Sequence, residues 1–142
     1  HKVINSFRLL KEYCENEGFK GWDPYDGLNS KVFQALPFLK KSAIAAWLLS
    51  KDLSAAQSPQ AALVPKEYNA KGIGLFLSGY CNLYNAVKAN PKLAESLGSP
   101  DSLKSRINEL AELLISLQSK GYSGACWGYN FDWQARRLFL FP

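Results

Sequence analysis

A chain of 142 residues with 47% apolar and 20% charged residues is long enough for one real core and is not composed like a disordered segment. The formal net charge of +5 is spread along the chain, with Lys40 and Lys41 the only adjacent lysines, so a nucleic-acid partner is not expected.

Val3, Ile4, Phe7, Leu10 and Cys14 recur at helical spacing and predict a first helix with one buried face. Gly18 suits its C-cap. Ser30 can cap a second helix carrying Val32, Phe33 and Leu36, which Pro37 ends by removing a backbone donor and crowding the preceding turn. The chain is therefore divided into a short helix over about 30–36 and another over about 38–53, the latter bearing Ile44, Trp47, Leu48 and Leu49. Residues 54–67 contain Pro59 and Pro65 and form a connection. A long helix over about 69–89 follows, with Ile73, Phe76, Leu77, Tyr80, Leu83, Tyr84 and Val87 on a broad apolar face. Its Gly72, Gly74 and Gly79 each cost helix propensity, which predicts close approach of a neighbouring helix. Asn90-Pro91 and Gly98 bracket a turn region. Ser99-Pro100-Asp101 then places cap, N1 proline and early acid in the order that starts a helix. Leu103, Ile107, Leu110, Leu114 and Leu117 continue its period to Gln118. A further helix is expected to begin near Trp133. With no sustained period-two alternation, the predicted fold class is all-α.

Two glycine-flanked aromatic loops interrupt this array. The longer, Gly124 to Arg137, holds Trp127, Tyr129, Phe131 and Trp133 together with Asp132, Arg136 and Arg137. The shorter, Gly18 to Asp26, likewise carries a Trp and an aromatic directly before Asp, at Trp22 and Tyr25-Asp26. Loops seldom hold so much apolar area unless they dock on a core or line a pocket. In an up-down array divided at Pro37, the loops follow the first and fifth helices, which predicts that both lie at one end; were Pro37 only a kink within one helix, they would lie at opposite ends and share no site.

Cys14, Cys81 and Cys126 are odd in number and lack C-x-x-C spacing, which argues against a disulfide framework or a zinc site. No metal or cofactor is expected. Cys126 has no histidine partner to make it a nucleophile, since the one histidine is His1. Gly72-Ile73-Gly74 lacks the third glycine and preceding strand of a dinucleotide loop. No apolar run approaches the ~20 residues of a membrane helix and no signal pattern is visible, so a cytoplasmic chain without membrane insertion is expected. The absence of Met and the apolar close Leu138-Phe139-Leu140-Phe141-Pro142 suggest a piece of a longer protein. The remainder beyond Pro142 would then be its partner, and residues 1–142 alone should expose apolar flanks and associate.

Gly21-Trp22-Asp23-Pro24-Tyr25-Asp26-Gly27-Leu28-Asn29-Ser30, Asn69-Ala70-Lys71-Gly72-Ile73-Gly74-Leu75-Phe76-Leu77 and Cys126-Trp127-Gly128-Tyr129-Asn130-Phe131-Asp132-Trp133-Gln134 together resemble the N-terminal part of a poorly characterised bacterial family met in cell-surface polysaccharide gene clusters. That family is similar to the α/α toroids of the six-hairpin glycosidase and terpenoid-cyclase type. The resemblance covers most of the chain, although Ser54 to Ala62 departs from it. It implies that residues 1–142 are an incomplete single domain, the N-terminal portion of an (α/α) toroid of helical hairpins around a central cavity, with a carbohydrate as substrate or ligand.

Asp23, Asp26 and Asp132 are the candidate catalytic carboxylates, because glycoside cleavage commonly uses two of them ~5–9.5 Å apart. The plainer reading makes Asp23 and Asp26 turn residues and Asp132 a helix cap. Trp22, Tyr25, Trp127, Tyr129 and Trp133 are candidate sugar-stacking residues, or else plug the end of the array. Arg136 can grip an anionic sugar group, or pair with Asp132. A carbohydrate-binding or carbohydrate-modifying toroid is the leading expectation. A non-catalytic helical scaffold or protein-interaction module is the alternative. A terpenoid-cyclase-like enzyme would need an aspartate cluster that residues 1–142 lack.

Overall fold

The computed structural model describes residues 2–22, 65–129, 133–135 and 138–140. The predicted helices over 30–36 and 38–53 lie outside these described residues, as do Asp23, Tyr25, Asp26, Asp132, Arg136 and Arg137. The described elements are predominantly helical, as the periodicity predicts: α1 Lys2–Asn16, α2 Ala70–Ala89, a 3-10 turn Pro91–Leu93, the single-turn α3 Ala94–Leu97, and α4 Pro100–Ser116. The chain divides into two units. One comprises His1–Phe19 with Ala70–Gly128, and the other Lys20–Asn69 with Tyr129–Pro142.

In the first unit α2 packs along α4. Ile73, Tyr80, Leu83 and Val87 of α2 are buried, as are Leu103 and Leu110 of α4. Their spacings of three, four and seven place each set on one stripe of its helix, so pairing the stripes removes both from water. Leu97 closes this core from the turn region, where 3-10 and α turns replace an irregular bracket. The start of α4 follows its sequence signal: the Ser99 hydroxyl accepts from the Ser102 amide at 3.2 Å, with Pro100 and Asp101 in the first turn.

Three expectations are overturned here. The apolar face of α1 is not buried: Val3 is 81% exposed, and Ile4, Phe7 and Leu10 are also exposed. Helical period reports which side of a helix is apolar, not whether a neighbour covers it. The docked part of α1 is its C-terminal half, where Lys11, Cys14 and Glu15 are partly buried and α3 lies alongside. Secondly, Gly74 and Gly79 admit no close neighbour, for a Cβ built on either meets nothing within 4 Å. Thirdly, Trp133 does not open a helix. Trp133–Ala135 is a strand, β1, paired antiparallel with β2, Leu138–Leu140, in the register Trp133↔Leu140, Gln134↔Phe139, Ala135↔Leu138.

The glycines divide by the space and backbone angles they occupy. Gly98 has φ 109° and ψ 151°, a region open essentially to glycine, and a Cβ there would come within 3.1 Å of the Ser102 hydroxyl. Gly98→Ala is expected to destabilise by at least ~1 kcal/mol. Gly79→Ala, in open helical surface, is expected to stabilise by up to ~1 kcal/mol. Opposite shifts in melting temperature of the two variants check both assignments.

Candidate functional site

The second aromatic loop begins where α4 runs out. The last carbonyls of a helix lack intrahelical donors, and here the indole N–H of Trp127 donates to the Leu114 carbonyl at 2.7 Å. Two more bonds close the loop at its base: the Ser119 amide donates to the Cys126 carbonyl at 2.9 Å, and the Gly128 amide donates to the Ser119 hydroxyl at 3.0 Å. Residues 119–128 thus form a pinned loop of the Ω type, its ends held together by Ser119. Gly121 supplies a left-handed turn at φ 89°. Trp127 remains 41% exposed while its indole is anchored, and Tyr122 on the same loop is 71% exposed. An anchored, part-exposed ring such as Trp127 can receive the apolar face of a flat ligand at little cost in side-chain entropy.

The first aromatic loop has a different local structure, within the second unit. The Gly21 amide donates to the Glu67 carbonyl at 3.2 Å and the Glu67 amide to the Gly21 carbonyl at 3.0 Å, an antiparallel bridge. Side chains alternate along such a pair, so Lys20 and Trp22 share one face with Lys66 and Tyr68. Lys20 Nζ stands 4.8 Å from the Tyr68 ring centroid, and Lys66 Nζ 4.5 Å from that of Trp22.

The remaining cluster of titratable groups joins three helices of the first unit. Glu15 of α1 accepts from the Tyr80 hydroxyl of α2 at 2.7 Å and from Lys11 Nζ at 3.1 Å. Arg106 Nε of α4 lies 3.6 Å from the same carboxylate. Phe19, at φ 60°, sits edge-on to Phe76 and Tyr80, with the Arg106 guanidinium 5.7 Å from its ring. The left-handed backbone that Phe19 adopts is unfavourable for a residue with a side chain, and the ring contacts offset it. The carboxylate is engaged by donors from α1 and α2 and by the charge of Arg106 from α4, so this cluster is a structural joint.

Of the sequence-predicted site residues, Trp127 and Tyr129 are exposed, the latter at 53%, and Trp22 is half-buried under Lys66. Trp133 lies in β1. Asp23, Tyr25, Asp26, Asp132 and Arg136 fall outside the described residues. Sequence reasoning missed Ser119, Tyr122, Lys20, Lys66 and Tyr68. A signal existed for the last three: Lys20-Gly21-Trp22 and Lys66-Glu67-Tyr68 repeat the pattern Lys, any residue, aromatic. Laid antiparallel, that pattern sets each lysine against the other segment's ring. Among the described residues no group of three His, Cys, Asp or Glu gathers to hold a metal ion, and no helix is long and apolar enough to cross a membrane. No family model, curated protein or solved structure matches the chain.

Proposed function

We propose that this chain is the N-terminal portion of an α/α toroid that binds or modifies carbohydrate, with aromatic loops engaging the apolar faces of sugar rings. The observation that supports this reading is the state of Trp127: hydrogen-bonded into the end of α4, yet 41% exposed, on the same loop as the more exposed Tyr122. An indole that served only as a core plug would be buried. A ring held this way is preorganised for stacking. The α2–α4 pair, with its short connection through α3, is one helical hairpin of the kind such a ring repeats.

The test is titration of the chain with maltohexaose, cellohexaose and chitohexaose, followed by tryptophan fluorescence and calorimetry. At least one neutral oligosaccharide is expected to bind. Tyr122→Ala and Trp127→Ala are expected to weaken binding by about tenfold, the loss of roughly 1.4 kcal/mol of contact. Tyr122→Ala should leave the melting temperature within about 2 °C, because it removes an exposed ring. Absence of binding to every oligosaccharide, or affinity indifferent to both substitutions, would sink the reading.

A second reading, a non-catalytic scaffold or protein-interaction module, is favoured by the exposed Val3, Phe7 and Leu10 of α1. On that reading, substitutions in the aromatic loop would lower stability and alter nothing else.

A further inference from the structure

Helix α1 keeps a broad apolar surface in water. Val3 is 81% exposed, Leu10 60%, Tyr13 59%, Leu9 52% and Phe7 44%. Val3, Phe7 and Leu10 follow one another at spacings of four and three, and Leu9 and Tyr13 form the adjoining ridge. The exposed Ser6 is the small residue of this arc, in a hollow bordered by Val3, Leu9 and Leu10, its neighbours at three and four residues. The charged residues of α1 other than Lys2 lie on the opposite side of the helix. There Arg8 pairs with Glu12 at 2.6 Å and Lys11 with Glu15 at 3.1 Å. The arc can therefore leave water without taking an ion pair with it. Lys2 stands at the margin of the arc, in a first turn without an acid, and the last turn has no base. A cation in that position opposes the macrodipole of its own helix.

We infer that this arc is the contact of a two-fold symmetric dimer, in which α1 of one copy packs antiparallel on α1 of a second. The inference rests on the protein-interaction reading above and names its partner; it is independent of the carbohydrate reading. Charge selects the antiparallel copy. That orientation sets Lys2 beside the negative end of the other copy's helix dipole, where a cation is favoured, whereas a parallel one brings the two Lys2 ammonium groups together. Shape selects the same arrangement. With the two-fold axis between Leu9 and Leu10, positions 6 and 13 lie equally far from it on either side. Tyr13 of each copy then falls over the Ser6 hollow of the other, and one symmetry operation fills both hollows. The area suffices. At the exposures above the five large side chains present on the order of 600 Å² per copy, so mutual burial reaches up to ~1,200 Å², the lower end of stable specific interfaces. A lipid surface fits less well, because helices that lie on membranes carry a polar face rich in Lys and Arg. Here that face balances Arg8 and Lys11 against Glu12 and Glu15.

Sedimentation velocity of the 142-residue chain from about 1 to 300 μM tests this, bracketing an expected dimer Kd on the order of 10 μM. Leu10→Glu sets a charge at the centre of the contact and is expected to weaken dimerisation about a hundredfold or more. Ile115→Glu, at a position of α4 that is 59% exposed, should leave it unchanged. Ser6→Tyr fills the hollow and should weaken dimerisation about tenfold. Ser6→Tyr/Tyr13→Ser exchanges knob and hollow and should restore it, a rescue that depends on the antiparallel register. Lys2→Glu should weaken it several-fold, since the acid then meets the negative end of the other helix. All these positions are exposed, and circular dichroism verifies that helix content is intact in each variant. A chain monomeric at every concentration would overturn the inference. Association equally strong in Leu10→Glu would overturn it too, while leaving the protein-interaction reading standing. Association lost equally in Leu10→Glu and Ile115→Glu, or no rescue in the exchanged double variant, would also count against this contact. Flotation with phosphatidylserine vesicles is the last arm. Binding to them that Leu10→Glu abolishes, in a chain that stays monomeric, would assign the arc to a membrane surface instead.

Discussion

Leu110→Ala is expected to destabilise the first unit by about 2–5 kcal/mol, a large part of the ~5–15 kcal/mol that holds a typical domain folded. Leu110 lies where α4 meets α2, and only 1% of it is exposed, alongside the equally enclosed Ile73, Leu103 and Val87. Truncation forfeits the transfer free energy of three carbons and leaves a cavity. The two helices meet along a single stripe, so neighbours have little freedom to collapse into the hole. For a unit of this size the expected fall in melting temperature is on the order of 10–30 °C, read by circular dichroism at 222 nm. Leu110→Met, which conserves volume, should cost less than ~1.5 kcal/mol. Ile115→Ala, on the same helix but with its side chain exposed, should stay within about 0.5 kcal/mol of the parent. A Leu110→Ala melt indistinguishable from that of Ile115→Ala would mean that the α2–α4 interface does not hold this unit together.

The parts of the fold legible in the sequence are those governed by local chemistry repeated over many residues. The seventeen residues of α4 begin at an unambiguous cap and proline signal, and α2 keeps its apolar stripe from Ile73 to Val87, about four turns. Strands β1 and β2 are three residues each, too short for period two to register. Their pairing depends on a contact between segments rather than on either segment. The misreading of Gly74 and Gly79 has a similar root, since a small residue in a helix is compatible with close packing but does not require it. In the candidate site, the aromatic content of the loop was legible and its restraint was not. Nothing in the composition marks Ser119 as the residue that bonds the returning segment twice, at Cys126 and Gly128, or Leu114 as the carbonyl that receives the Trp127 indole. The left-handed Phe19 was equally hidden, because Gly18 beside it looked sufficient to end α1.

Tyr80→Phe and Glu15→Gln are expected to lower stability at neutral pH and to change its pH dependence in different ways. The Tyr80 hydroxyl donates to a carboxylate whose side chain is 23% exposed, and hydrogen bonds to charged groups contribute about 1.5–3 kcal/mol. Burial pushes the Glu15 carboxyl up, but the hydrogen bonds from Tyr80 and Lys11 and the charges of Lys11 and Arg106 together hold it below the usual glutamate range. A carboxyl whose folded pKa is depressed stabilises the fold fully above its unfolded value of ~4.3 and loses that contribution as pH falls through the lower folded value. The Tyr80 phenol is shifted the other way, pushed well above its ordinary value by burial and by the hydrogen bond and charge of Glu15. Its contribution is intact below ~10 and declines as pH rises beyond that. Urea unfolding across pH 2.5–11 should therefore show the parent losing an increment of stability on each limb. Glu15→Gln keeps an acceptor for the tyrosine but not the charge, so its acid limb should flatten and its gap from the parent should narrow below about pH 4. Tyr80→Phe should lose the alkaline increment while retaining a weaker acid one from Lys11 and Arg106. Parallel pH curves for parent and both variants would show that the three-helix joint is not held by this carboxylate, and that Phe19 and its ring neighbours hold α1 in place without it.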